Sequence, residues 1–248
     1  MASTQKRTWI IGASSGIGKQ LALDMAARGE TIIVSARREE PLAELATSQN
    51  TITALALDVA SPDQLASTIT HLANAGKLPS HVIFCAAIYQ PGGLEILNHA
   101  TATEHMQVNY LAFTSLLEHL VPHWQNTGGH IAVIASLSGY CGLPKAAIYG
   151  PTKAALINLC ETLQPDLQTI GIKLTLINPG FVDTPMTRKN SFAMPFLRTP
   201  EQASKAILEK LEKKGFEIAF PWQLSWALRL LRHLPYSLYF LITKRMNK

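Results

Sequence analysis

Residues 10–19 read "IIGASSGIGK", and the reading of this stretch decides the fold. Gly12-Ala13-Ser14-Ser15-Gly16 satisfies the G-x-S-x-G elbow that exposes a nucleophilic serine, which would make Ser14 the attacking group of a hydrolase. The same residues with Gly18 form a glycine-rich turn between a strand and a helix, the arrangement that cradles a dinucleotide pyrophosphate. Position separates the two. An elbow serine lies deep in its chain, with an acid and then a histidine after it, whereas Ser14 would stand on the first strand; the elbow also leaves Gly18 without a role. The dinucleotide reading uses all three glycines, for a tight turn, close approach to phosphate and close packing of helix on strand. A helix N-terminus then faces the anion through Ser15, Gly16 and Ile17.

Outward from this turn, short β-branched runs alternate with longer helical patterns. "TWIIGA" (8–13) reads as a strand, and Ser15 to Arg28 as a helix closed by Gly29. "TIIVSA", "TITALAL", "HVIFCAA", "HIAVIAS" and "IKLTLIN" are further strands, apolar almost throughout, as strands covered on both faces are. The longest helical stretches are Thr103 to Trp124 and Ala147 to Gln168, the second bent or shortened by Pro165. Thr199-Pro200 with Gln202 marks another helix start. Strand and helix in alternation predict an α/β fold, a doubly wound parallel sheet of Rossmann type. No repeat or linker splits the chain, so residues 1–220 read as one catalytic domain and 221–248 as a C-terminal amphipathic extension.

Composition narrows the class. In 248 residues, 47% are hydrophobic and the mean hydropathy is +0.11, enough to bury a core, which excludes disorder. Cys85, Cys141 and Cys160 are an odd number without paired spacing or a histidine cluster, so neither a disulfide framework nor a metal site is expected. The first apolar run is too short for a secretory signal, which predicts a cytoplasmic protein. Net charge is +5, all of it C-terminal: Arg229, Arg232, Lys244, Arg245 and Lys248 stand among no acids, and the other 17 Lys and Arg match 17 Asp and Glu. A neutral body argues against a nucleic-acid partner.

The Gly-x-x-x-Gly-x-Gly spacing resembles the short-chain dehydrogenase/reductase family, and so do further residues over most of the first 190. Ser136, Tyr149 and Lys153 match its Ser…Tyr-x-x-x-Lys set, and Asn109 in "VNYLA" its helix asparagine. Asp58-Val59 matches its adenine-contacting pair, and "NPGFVDTPM" (178–186), with Pro179, Gly180, Val182 and Thr184, its nicotinamide-side loop. Two departures stand out. Ile11 replaces the usual Thr before the first glycine, and Phe84-Cys85-Ala86-Ala87 replaces Asn-Asn-Ala-Gly, retaining small residues such as Ala86 but no amide.

The resemblance implies an oxidoreductase that interconverts a carbonyl and an alcohol on a small-molecule substrate, usually as a homo-dimer or tetramer. Tyr149 and Lys153 are one helical turn apart. A free phenol titrates near ~10 and is a poor acid-base group at neutral pH; a fixed ammonium beside it is expected to lower that value. Ser136 would hydrogen-bond the substrate oxygen as charge develops, and Asn109 would hold a water linking Lys153 to solvent. The second strand ends Ala36-Arg37-Arg38, with no acid for a ribose diol and two arginines for a 2′-phosphate, which favours NADP(H) over NAD(H).

Phe192, Met194, Phe196 and Leu197 lie in a segment that in such folds covers the substrate; they either form an apolar lid, which points to an apolar substrate, or pack on the domain beneath. The tail carries Trp222 and Trp226, a run of leucines and several cations, and is too short to span a bilayer. Two readings stand for it: an amphipathic segment lying peripherally on the inner, anionic membrane surface, or an arm packed on a partner subunit or over the active site. A protein of another class fits as the alternative, a non-catalytic NADP(H) sensor or scaffold held to membrane or partner by this tail.

Overall fold

The computed structural model describes residues 6–213 and 215–246. Seven parallel strands form one sheet in the order β3-β2-β1-β4-β5-β6-β7: β1 (Arg7–Ile11), β2 (Thr31–Ser35), β3 (Ile52–Ala54), β4 (His81–Phe84), β5 (Gly129–Ile134), β6 (Ile172–Pro179) and β7 (Glu217–Phe220). Helices cover both faces. On one lie α1 (Gly16–Ala27), α2 (Glu39–Ser48) and α7 (Pro200–Leu211), packed on Ile10, Ile32, Val34, Ile83 and Ala132. On the other lie α3 (Pro62–Asn74), α5 (Ala112–Trp124) and α6 (Tyr149–Thr169), packed on Trp9, Ile11, Val82, Phe84, Ile131 and Val133. Neighbouring strand residues thus point to opposite cores, the physical reason these strands are apolar throughout. The doubly wound fold is as expected. Strand order reverses between β1 and β4, and the crevice above that point is where such sheets bind ligands.

Local structure departs from the sequence reading in a few places. The stretch read as one helix from Thr103 starts earlier, at the Asn98 cap, as α4 (His99–Met106), and passes through a π-helical turn at Gln107–Leu111 before α5. Pro165 neither bends α6 to an end nor shortens it: the helix runs on to Thr169, and Glu161 and Pro165 both lie on its exposed side, where solvent can take the freed carbonyl. Regular pairing of β3 stops at Ala54, although the Leu55 and Leu57 amides still donate to Val34 and Ala36 at 2.9 and 3.0 Å. Strand β7 was not anticipated. Past it the tail folds as two helices, α8 (Trp222–Arg232) and α9 (Tyr236–Met246), whose Leu228, Leu231 and Tyr239 join the α3/α5/α6 core.

Candidate active site

The glycine turn adopts the geometry its sequence demands. Gly12 and Gly16 have φ of +94° and +57°, in the left-handed region that side chains avoid. A Cβ on Gly12 would meet the Ala86 nitrogen at 2.6 Å, one on Gly16 the Thr184 methyl at 2.8 Å, and one on Gly18 the Gly12 carbonyl at 2.4 Å. Three strands' ends are thereby drawn together around a cradle free of side chains. Ser15 is the N-cap of the 12-residue α1, makes no side-chain cap, and no acid sits in the first turn, so the helix presents its first amides and positive end to the cleft. From the end of β2, Arg38 donates to the Ser14 and Ser15 hydroxyls at 2.9 and 3.3 Å. Backbone donors, a helix N-terminus and a guanidinium around one cradle are the donor set a pyrophosphate and a further phosphate need.

This cradle is one end of a cleft of about 300 Å³. Lining it are Gly12, Ser14, Ser15, Gly16, Ile17, Gly18, Arg37, Arg38, Val59, Ala86, Ser136, Tyr149, Lys153, Pro179, Gly180, Val182 and Thr184, all named from the sequence. Two named residues stand apart. Leu57 and Val59 line the cleft on either side of Asp58, whose carboxylate instead accepts from the Ala60 amide at 3.0 Å. Asn109, buried in the π-helical turn, accepts from the Ile88 amide at 2.8 Å and donates to the Ile88 carbonyl at 3.0 Å and Thr152 hydroxyl at 3.1 Å. Both its amide hydrogens are committed, so its side chain ties the chain after β4 to α6.

At the other end Ser136, just beyond β5, and Tyr149 and Lys153, at the start of α6, converge. The Ser136 amide donates to the Asn178 side chain at 3.2 Å, and its hydroxyl accepts from Ser138 at 2.9 Å. Lys153 is buried, with its ammonium 5.5 Å from the centre of the Tyr149 ring and donating to the Ile134 carbonyl at 2.9 Å. Burial lowers its pKa to about 8. The expected acidification of Tyr149 by Lys153 is not what this geometry produces. Burial, and then Tyr89, push the Tyr149 hydroxyl above its ordinary value, and the opposing pull comes from the Ser136 hydroxyl. Desolvation is the largest of these influences, because taking the hydroxyl out of water disfavours the charged phenolate.

The sequence reading missed Tyr89, whose ring meets Tyr149 edge-on with centroids 4.9 Å apart and whose hydroxyl donates to Asn190 at 2.6 Å. Its place just past the end of β4, on the ligand side of the sheet, was the available signal. At Tyr149, Ser136 and Gly180 the cleft opens into a second cavity of about 610 Å³, walled mainly by apolar side chains including Leu137, Leu143, Phe181, Phe192, Leu224 and Leu228. Of the four expected lid residues, Phe192 alone reaches this cavity. Met194 instead accepts from Asn190 at 3.3 Å, and Phe196 and Leu197 are exposed, Phe196 at a left-handed φ of +57°. The tail covers the cavity: Leu224, Leu228 and Met246 form part of its wall. Among the described residues no group of His, Cys, Asp and Glu could hold a metal ion.

The fold and the cleft define a nicotinamide-dependent oxidoreductase, and comparison with known proteins agrees. The short chain dehydrogenase profile matches residues 6–194. The chain belongs to that family and is an NAD(P)-dependent dehydrogenase/reductase. It is 31% identical to an uncharacterized oxidoreductase of Myxococcus xanthus over all of both chains. It is 26% identical to 11-beta-hydroxysteroid dehydrogenase A of Sesamum indicum, over 90% of this chain and 74% of that one. A short-chain dehydrogenase from Streptomyces avermitilis shares the fold with a TM-score of 0.85 at 21% identity, over 98% and 97% of the two chains. One from Burkholderia cenocepacia, in complex with NADP, does so with a TM-score of 0.82 at 21% identity, over 98% of both.

Proposed function

We propose that the protein is an NADP(H)-dependent oxidoreductase that interconverts the carbonyl and alcohol forms of an apolar substrate, with Tyr149 as the proton-transfer group. The observation that carries this reading is the meeting of Ser136, Tyr149 and Lys153 at the junction of the glycine-lined cleft and the apolar cavity. NADP(H) is favoured by Arg38 over the glycine turn and by Arg37 on the same wall, with no acid to repel a phosphate there. The cofactor-bound neighbour from Burkholderia cenocepacia is in keeping with this choice. When bound, the cofactor supplies the hydride.

The chain's own residues supply the rest. Ser136 and Tyr149 offer hydroxyls to a carbonyl oxygen in the cavity mouth, and a hydrogen bond placed in advance at that oxygen stabilises the charge that develops on it. Because burial holds the Tyr149 hydroxyl protonated at neutral pH, its part is that of an acid. A developing alkoxide is a far stronger base than a phenolate and takes that proton. Lys153, positively charged below about pH 8, stabilises the phenolate left behind. Asn109 holds the loop after β4 at α6, which fixes where Tyr89 meets Tyr149. These intact proton-transfer groups weigh against a cofactor sensor without turnover.

Loss of NADPH or NADH absorbance with a panel of apolar ketones and aldehydes tests the proposal. Oxidation of NADPH by apolar carbonyls, with NADH clearly slower, is expected; no turnover across the panel would overturn it.

A further inference from the structure

Helices α8 and α9 have two dissimilar sides. Inward, Leu228, Leu231 and Tyr239 join the core, while Leu224, Leu228 and Met246 close the substrate cavity. Outward, α8 carries Trp222, Trp226 and Leu230 at i, i+4 and i+8, one stripe of the helix surface, and these side chains are 66%, 68% and 67% exposed. Helix α9 turns Tyr236, Phe240 and Leu241 outward, exposed to 77%, 60% and 53%. Large aromatic and aliphatic side chains so exposed on consecutive helices mark a docking surface.

Charge names the occupant. The segment from 221 to 248 holds five cations and no acid in a chain otherwise balanced. Arg229 is spent on Glu217, Lys248 lies outside the described residues, and Arg232, Lys244 and Arg245 stand exposed in the last turns of α8 and α9. A second copy would be a poor fit, since a two-fold contact sets a patch against itself and would bring these cations together with no acid of the segment to pair them. Each helix has 11 residues, about 16 Å at 1.5 Å per residue, far short of a ~30 Å hydrocarbon core, so neither can cross it and both can lie along its surface. Tryptophans with cations and no acids suit the boundary of an anionic bilayer.

We propose that α8 and α9 dock the protein onto an anionic phospholipid surface through their outward side chains, while their inward side chains wall the substrate cavity. The cavity then lies directly beneath the docked helices, on the route an apolar substrate dissolved in lipid would take.

The test uses the full-length protein with vesicles of phosphatidylcholine, or of phosphatidylcholine with one third phosphatidylglycerol, and needs no turnover, so it stands or falls separately from the oxidoreductase reading. Sedimentation should show binding to the anionic vesicles at least about tenfold tighter than to the neutral ones, with weakening at high salt. Tryptophan emission should shift to the blue on binding; Trp9 and Trp124 are buried already, so the shift reports Trp222 and Trp226. The variants Trp222→Ser/Trp226→Ser and Lys244→Gln/Arg245→Gln should each lose most of the binding with an unchanged melting temperature. Leu94→Ser, which removes an 87% exposed leucine on the loop after β4, should bind as the parent does. Absence of binding to either vesicle, or equal binding by the tryptophan variant, would overturn the proposal. So would a concentration-dependent dimer that the tryptophan substitutions abolish while vesicles are ignored.

Discussion

The Lys153 ammonium donates to the Ile134 carbonyl at 2.9 Å from beneath the Tyr149 ring, so the last residue of β5 fixes the charge on which the site depends. Its pKa falls to about 8 through burial, against 10.5 for a free lysine. The unfolded chain therefore binds more protons between those values: the buried ammonium costs stability at neutral pH, and the cost fades as pH rises from 8 to 10.5. Lys153→Met should melt higher than the parent at pH 7, by an amount corresponding to about 1–3 kcal/mol, with the gap closing by pH 10. The same variant should lose activity. Lower stability of Lys153→Met at pH 7 would contradict this account of the site.

Arg38 tests cofactor choice. Its guanidinium lies on Ser14 and Ser15, where a phosphate would compete for it. A charge-assisted hydrogen bond is worth roughly 1.5–3 kcal/mol, so Arg38→Ala should weaken NADPH binding by about 10- to 100-fold and leave NADH binding within about threefold. Fluorescence titration of both cofactors decides it; equal losses for the two would remove Arg38 as the selector.

His81 and His130 stack with centroids 4.4 Å apart at the far end of the sheet, facing Lys6 and Lys173. Burial lowers His130 to about 3 and His81 well below its ordinary value of 6.5. The native state keeps both rings neutral while the unfolded chain protonates them, so stability is full above pH 6.5 and is lost as pH falls toward 3. Well below 6.5 the loss approaches about 1.4 kcal/mol per pH unit for each ring. The melting temperature should drop from pH 7 to pH 5, and His130→Gln should flatten that drop. An unchanged slope in the variant would contradict the assignment.

Glu217 joins the tail to the site. One carboxylate oxygen accepts from Asn178 at 2.6 Å and from the Tyr140 hydroxyl, the other from Arg229 of α8, and Asn178 in turn accepts from the Ser136 amide at 3.2 Å. Glu217→Ala leaves Asn178 without its acceptor, and Arg229, which is half-exposed, with only the Tyr140 hydroxyl, and should cost about 1–2 kcal/mol. It should also loosen Ser136, lowering kcat more than it raises KM. A variant with parental melting temperature and kcat would show that this chain of contacts is idle.

Much of this was legible in the sequence because local chemistry dictated it. Gly12, Gly16 and Gly18 occupy positions where turn and packing leave no room for a side chain, and residues four apart on one helix had to share a face, as Tyr149 and Lys153 do. Direction was not legible. Periodicity brought Lys153 to Tyr149 but could not reveal that its ammonium would be drawn to the Ile134 carbonyl, or that burial would then govern the phenol. The Asn109 side-chain bonds to Ile88 and Thr152 were not legible either, since those residues meet it only through tertiary packing. The four-residue β7 and the turning away of Phe196 and Leu197 also depend on contacts distant in sequence, with Leu176 through Pro179 pairing β7.

The central claim is that the Tyr149 hydroxyl delivers the proton. The most direct measurement is the single-turnover rate of NADPH oxidation by an apolar aldehyde or ketone in Tyr149→Phe beside the parent protein. Loss of the acid should slow the step by about 10²–10⁴-fold while NADPH binds with parental affinity. A rate within a few fold of the parent, in a variant that still binds NADPH, would contradict it.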